Sequence, residues 1–195
     1  MVLARTIHVF IKLVPVILAL RKDRILWISQ EGKDIDEKRF QRNAQRILNT
    51  CISLGPVFIK FGQWLSSRAD ILPQPYLEEL SKLQDSVPAV SFEKVRPIIE
   101  EDIGKIEEKF DKLDQNSLSG ASLGQVHLAI KNGQQVIVKV KRPGIEKQVE
   151  RDLKVLMKII PFAMKFVDPN LRFSIIPIMK QFAESIHEEM DYFKE

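Results

Sequence analysis

The chain has 195 residues, 45% of them hydrophobic and 29% charged, which excludes a disordered tail and allows one domain with a sizeable core or a small domain with an extension. The net charge of +4 and pI near 9.1 are mild, and the basic residues are interleaved with 26 acidic ones without an aromatic-rich basic stripe, so nucleic-acid binding is not expected. The single Cys51 excludes an internal disulfide and a multi-cysteine zinc site, and His8, His127 and His187 lack metal-ligand spacing.

In chain order, residues 7–20 are apolar but interrupted by His8, Lys12 and Pro15. This run is shorter than the ~20 residues of a membrane span. Arg21-Lys22-Asp23-Arg24 follows it in place of a signal-peptide cleavage site. An amphipathic helix resting on a core or on a membrane surface is expected.

A helix is expected over 36–50, with Phe40, Ala44, Ile47 and Leu48 on one face and an extension to residue 54. Gly55-Pro56 breaks it, and Pro56 suits the first turn of the next helix, 57–70. In that helix Lys60 and Gln63 share a face, and Gly62 costs ~1 kcal/mol relative to alanine unless something packs close against it. Lys60 by itself is consistent with an ordinary solvated lysine. Pro73 and Pro75 force a turn before a short helix over 76–83. Ser91 is the expected N-cap of a helix over 92–102, with Gly104 as its stop.

Residues 105–113 lead into a hairpin and are themselves a possible first strand. The hairpin occupies 117–142, with Asn132-Gly133 at its turn because such turns need positive φ. Lys139 sits inside the apolar strand Val136-Ile137-Val138-Lys139-Val140, where a charge needs a partner or an anion. Upstream, Ser119-Gly120-Ala121-Ser122-Leu123-Gly124 consists mostly of small residues, so a phosphate can approach the backbone there. After the turn at Pro143-Gly144, residues 145–160 form the clearest amphipathic helix, ended by Pro161. A last helix from about 174 carries Ile178, Phe182, Ile186 and Phe193 inward, and Glu188, Asp191 and Glu195 form an acidic stripe of the kind that is usually solvated.

Four of these segments together resemble the UbiB family, also called AarF, ABC1 or ADCK, of atypical protein-kinase-like proteins linked to ubiquinone biosynthesis. Lys60-Phe61-Gly62-Gln63 is similar to its KxGQ signature, and residues 121–127 to the end of its alanine-rich nucleotide loop. Val138-Lys139 with Arg142-Pro143-Gly144 is similar to its lysine strand and the turn after it, and Glu189-Met190-Asp191-Tyr192 to its ExD motif. The resemblance implies an α+β fold: a helical KxGQ extension over 1–104 packed on a kinase-like N-lobe over 105–195, with a small antiparallel sheet and an αC-type helix that the chain end truncates.

It also implies roles. Lys139 would hold nucleotide phosphates and pair with Glu195. Leu118, Ser119, Gly120, Ala121, Ser122, Leu123, Gly124, Gln125 and Val126 would lie over the nucleotide. Lys60 and Gln63 would form a lid whose lysine faces Glu189 and Asp191. ATP and Mg2+ are the implied cofactors, the metal ligands falling in a second lobe after Glu195, and the piece alone is expected to be inactive. The implied partners are a nucleotide and quinone-biosynthesis proteins or a lipid-like small molecule, with a peripheral membrane surface in the cytoplasm, at the inner membrane face in a bacterium. Gly120 stands where many members carry alanine, so nucleotide preference stays open. A non-enzymatic membrane-surface or partner-binding helical module is the alternative.

Overall fold

A computed structural model describes residues 2–31, 33, 35–85, 88–167 and 171–192. The fold is α+β, and its secondary structure falls into two units, Met1–Gln84 with Val149–Glu195, and Asp85–Gln148. These units do not follow the boundary expected at residue 104. The helix after residue 91 goes with the sheet, and the last two helices go with the N-terminal ones.

In the first unit, α1 (Val2–Ser29) is far longer than the apolar run alone. The charged residues 21–24 do not end it, because lysine and arginine are good helix formers. The expectation of a segment too short to span a membrane is therefore corrected. By length and composition alone, residues Leu3–Ser29 would suffice, and only 17% of that apolar window is buried.

Helix α2 (Glu37–Leu54) starts at Asp36, whose carboxylate accepts from the Arg39 amide at 3.0 Å. Its expected stripe of Phe40, Ala44, Ile47 and Leu48 is buried, with Cys51 and Leu54 continuing it. Gly55, at φ 97°, turns the chain into α3 (Pro56–Leu65), which ends before the expected residue 70. Helix α4 (Gln74–Ser81) follows with Pro75 in its first turn, and residues Lys82–Asp85 finish as a 3-10 turn.

Two buried carboxylates tie α1 down. Asp152, on α7 (Ile145–Val167), is fully buried and takes a two-pronged pair from Arg5 at 2.9 and 2.7 Å. The same guanidinium donates to the Leu54 carbonyl at 2.6 Å. Asp23, also fully buried, accepts from Tyr76 at 2.7 Å and Asn43 at 2.8 Å through one oxygen. Its other oxygen meets Arg39 at 2.8 Å as a charge pair without hydrogen-bond alignment. A carboxylate without water is tolerable only with such partners.

Helix α7 runs through Pro161 instead of stopping there, and α8 (Leu171–Met190) starts earlier than expected. In α8, Met179 is buried where Ile178 was expected, alongside Phe182 and Ile186. Phe193 lies outside the described residues. The acidic stripe is interrupted, because α8 ends at Met190 before Asp191.

In the second unit, α5 (Phe92–Ile103) carries Val95 and Ile99 into a small core with Ile106 and Val140. Ser91 caps it through its backbone carbonyl rather than its side chain. A single turn, α6 (Ile106–Lys109), occupies the start of the expected first strand. The sheet has three strands, the first lying later than residues 105–113: β1 (Lys112–Gly120), β2 (Gly124–Lys131) and β3 (Gln134–Lys141), antiparallel in that order. Asn132 (φ 52°) and Gly133 (φ 74°) make the tight turn between β2 and β3, as expected.

Removing either Arg5 or Asp152 leaves the other's network broken. Arg5→Ala is expected to cost about 3–5 kcal/mol in urea unfolding, because Asp152 stays buried with a much weaker partner set. An Arg5→Met/Asp152→Leu pair should recover most of that loss; equal losses for single and double variants would show that the pairing is not what matters.

The Cys51 thiol is pushed up to about 12 by burial, from an ordinary 9.0. The native state thus holds this proton more tightly than the unfolded chain. Its contribution is full below pH 9 and fades as the pH rises from 9 toward 12. Burial, and then the hydrogen bond to Asp23, raise Tyr76 as well, in the same direction. Stability is expected to fall over that alkaline window, and less steeply in Cys51→Ala.

Candidate functional site

The expected site residues fall into two groups, one in each unit. In the first unit, α3 and α8 bring Lys60 and Glu189 together. Lys60 Nζ lies 2.5 Å from a Glu189 carboxylate oxygen, with both side chains about a quarter to a third exposed. Partial burial strengthens such a pair beyond a surface one. The helices meet through aromatic rings next to it: Phe182 packs edge-on against Phe61 at 5.1 Å and against Trp64 at 5.7 Å. Asp191 follows in the turn after α8, where its amide donates to the Glu188 carbonyl at 3.0 Å.

Gln63, three residues on, has a different partner, donating to the Leu83 carbonyl at 2.9 Å. Gly62 between them is where the 3-10 turn after α4 packs closest. A Cβ there would overlap Leu83 Cδ1 and approach Cys51 Sγ at 3.2 Å. The close neighbour that the sequence implied for this glycine is therefore Leu83.

In the second unit, the small-residue stretch is divided. Leu118, Ser119 and Gly120 lie on β1, Ala121, Ser122 and Leu123 form the turn, and Gly124, Gln125 and Val126 begin β2. The turn is closed by the Ala121 amide donating to the Gly124 carbonyl at 2.9 Å. Ser122 and Leu123 are buried, so the turn is packed rather than loose.

Register places Ser119 opposite Val126 and Val126 opposite Lys139, so one row crosses all three strands. Cross-strand partners share a face. Lys139 is exposed, on the face away from α5, with Ile137 beside it. Strands ~4.8 Å apart put Lys139 about 10 Å from Ser119 along the row. Glu195 lies outside the described residues.

The side chains of Gln125, His127 and Arg142 hold this turn. The Gln125 amide accepts from the Val90 amide at 2.8 Å and donates to the Val90 carbonyl at 3.0 Å. That pairing fixes the amide's orientation, so its nitrogen donates to His127 Nε2 at 2.8 Å, and His127 Nδ1 donates to the Asp114 carbonyl at 2.8 Å. His127 is therefore a neutral, buried fastener. Gln125, expected to lie over a nucleotide, is fully buried, and its amide is taken up by these bonds. Arg142 donates to the Ala121 carbonyl at 3.0 Å and the Pro88 carbonyl at 2.7 Å, while its amide donates to Leu123. The only sequence signal for it was its place after the lysine strand.

A family model described as the ABC1 atypical kinase-like domain matches residues 82–195. The chain belongs to the UbiB/ABC1 family. It is 40% identical over 86% of its length to the chloroplastic Arabidopsis thaliana protein named Activity of BC1 complex kinase 8, covering 23% of that protein. It is 34% identical over 90% of its length to a probable protein kinase UbiB of Aeromonas salmonicida, covering 32%. Among solved structures, the Rv3197–erythromycin complex from Mycobacterium tuberculosis matches 69% of this chain and 34% of that one, at 29% identity and a TM-score of 0.43. The chain thus spans less than a third of the length of these curated relatives.

Within this family the Gly62 position is open to test. Gly62→Ala gains ~1 kcal/mol of helix propensity but must displace buried Leu83. A net loss of roughly 1–3 kcal/mol is expected in chemical denaturation. A more stable variant would mean that the 3-10 turn yields there at little cost.

Proposed function

We propose that this chain is the N-terminal part of an ATP-binding, kinase-like protein that supports quinone metabolism. The carrying observation is the row Ser119–Val126–Lys139, which sets one cation beside a tightly fastened turn of small residues. The small residues of this segment would let a phosphate approach the backbone, and Lys139 supplies charge without burying it. Backbone of the segment Leu118 to Val126 and the Lys139 ammonium would lie against the phosphates, with the buried Gln125 side chain holding that backbone in place rather than touching them, and bound ATP would supply a transferable phosphoryl group.

In this reading Glu195 is the expected counter-charge of Lys139. Magnesium ligands are expected from parts that the longer relatives carry; the described residues hold no cluster of three or more His, Cys, Asp or Glu suited to a metal. The pair Lys60–Glu189 clamps α3 to α8, and the family resemblance implies that it restricts entry of a bulky peptide, so a small or lipid-like acceptor is expected rather than an ordinary protein. The names of the UbiB relatives support the quinone link.

A fluorescent ATP analogue titrated into the chain should bind weakly, and Lys139→Met should weaken it about tenfold or more while leaving the fold intact. Hydrolysis by the chain alone is expected to be undetectable. Equal nucleotide binding by Lys139→Met, or turnover that survives it, removes this lysine from the reading.

A second reading concerns location, and the long apolar helix favours it. Leu3, Ile7, Ile11, Leu18, Ile25 and Ile28 of α1 are all exposed. We infer a peripheral attachment to a membrane surface through this helix. Ile7→Ser/Ile11→Ser/Leu18→Ser should abolish co-sedimentation with vesicles containing phosphatidylglycerol, and unchanged binding would exclude α1 as the attachment.

A further inference from the structure

Helix α1 presents three kinds of surface along one axis. At 100° per residue, Leu3, Ile7, Ile11, Leu18, Ile25 and Ile28 fall within an arc of about 100°. Each is at least 40% exposed. The opposite face is buried through Val9, Leu13 and Val16. Its two pins, Arg5 and Asp23, are 18 residues apart, or about 27 Å along the axis.

That spacing decides the helix's posture. To cross a bilayer, α1 would have to withdraw Asp23 from Tyr76 and Asn43 and take Arg5 from Asp152, exposing buried charges to hydrocarbon. Held at both points, it lies flat with its apolar arc outward.

Along one flank of that arc runs a groove of about 390 Å³ between α1 and α2. Ile11, at the edge of the arc, forms part of its wall. Its polar lining is Lys12, Arg46, Asn49, Thr50 and Ser53, with no carboxylate among the lining residues. Lys12 Nζ donates to Ser53 Oγ at 2.9 Å, which holds the ammonium over the groove. Asp23 is the sole acid of α1, and it is enclosed, so every exposed charge on this helix is positive.

Two cations, the Asn49 amide and the Thr50 hydroxyl around an open groove match a tetrahedral oxyanion with several acceptors, while Ser53, whose hydroxyl donates to the Thr50 carbonyl at 2.9 Å, positions Lys12. An apolar arc that begins at the groove's own edge matches acyl chains attached to that anion. We propose that the α1–α2 groove binds the phosphate headgroup of an anionic phospholipid whose acyl chains lie against Ile7, Ile11 and Leu18. The proposal rests on the membrane-surface reading and adds to it a defined headgroup site. A free phosphate would satisfy the groove and leave the adjoining arc uncovered, which is why a lipid is the occupant.

The test uses the whole 195-residue chain and vesicles of phosphatidylcholine with and without phosphatidylglycerol. Lys12→Gln/Arg46→Gln is compared with Lys109→Gln/Lys131→Gln, which removes the same charge from the sheet unit. All four positions are on the surface or partly so, and circular dichroism checks the fold of each variant. The groove pair should weaken binding to anionic vesicles by about tenfold or more, and the control pair by less than about threefold.

The outcomes separate the two readings. If the wild-type chain binds neither vesicle, the membrane reading falls and the headgroup site falls with it. If it binds anionic vesicles and the two double variants weaken equally, the attachment stands and the groove is not a site. If millimolar inorganic phosphate displaces the protein from vesicles at constant ionic strength, the groove prefers the free ion and the lipid assignment is overturned.

Discussion

A carboxylate removed from water has to be neutralised where it stands, and two such groups fix the helical unit. Asp152 and Asp23 are fully buried, and each draws a partner from a helix distant in sequence. Between them they determine where α1 lies, because releasing either would strand a charge in an apolar core at a cost of several kcal/mol. Helices α2, α3 and α4 then close around the fixed helix with Phe40, Phe58 and Tyr76 at the centre.

The sheet unit obeys a different constraint. One face of the sheet packs on α5 through Val140 and Leu113, and the other carries the exposed Ile137 and Lys139. The turn between β1 and β2 would be free to move on such a small scaffold. Gln125, His127 and Arg142 prevent this by satisfying backbone groups of residues 88–90, 114 and 121. A fastened turn presents its amides in a set geometry, which is what an anion site requires.

Much of the element order was legible because hydrophobic period and turn chemistry are local. The α2 stripe, the Gly55-Pro56 break and the Asn132-Gly133 turn all follow from neighbours within a few residues. Pro161 did not end α7, because one unfavourable residue is outweighed by the rest of a long amphipathic helix, and α1 ran on past the apolar run through residues 21–24, whose lysine and arginines are good helix formers. Strand β1 was hidden by its mixed, mostly exposed side chains, which lack an alternating pattern. Lys60 and Glu189 were paired on the strength of family resemblance; their separation in sequence gives no local sign of contact.

By itself, the sequence determined the family, the α+β class and which residue types carry charge at the motifs, since these depend on short motifs and periodicity. Only the tertiary structure decided that α1 is pinned at Arg5 and Asp23, that Gln125 and His127 serve the turn as fasteners, and that Lys12 and Arg46 line one groove. Those facts depend on which distant side chains meet, and a buried charge or amide selects its partner through space, leaving no trace in the spacing of the residues along the chain.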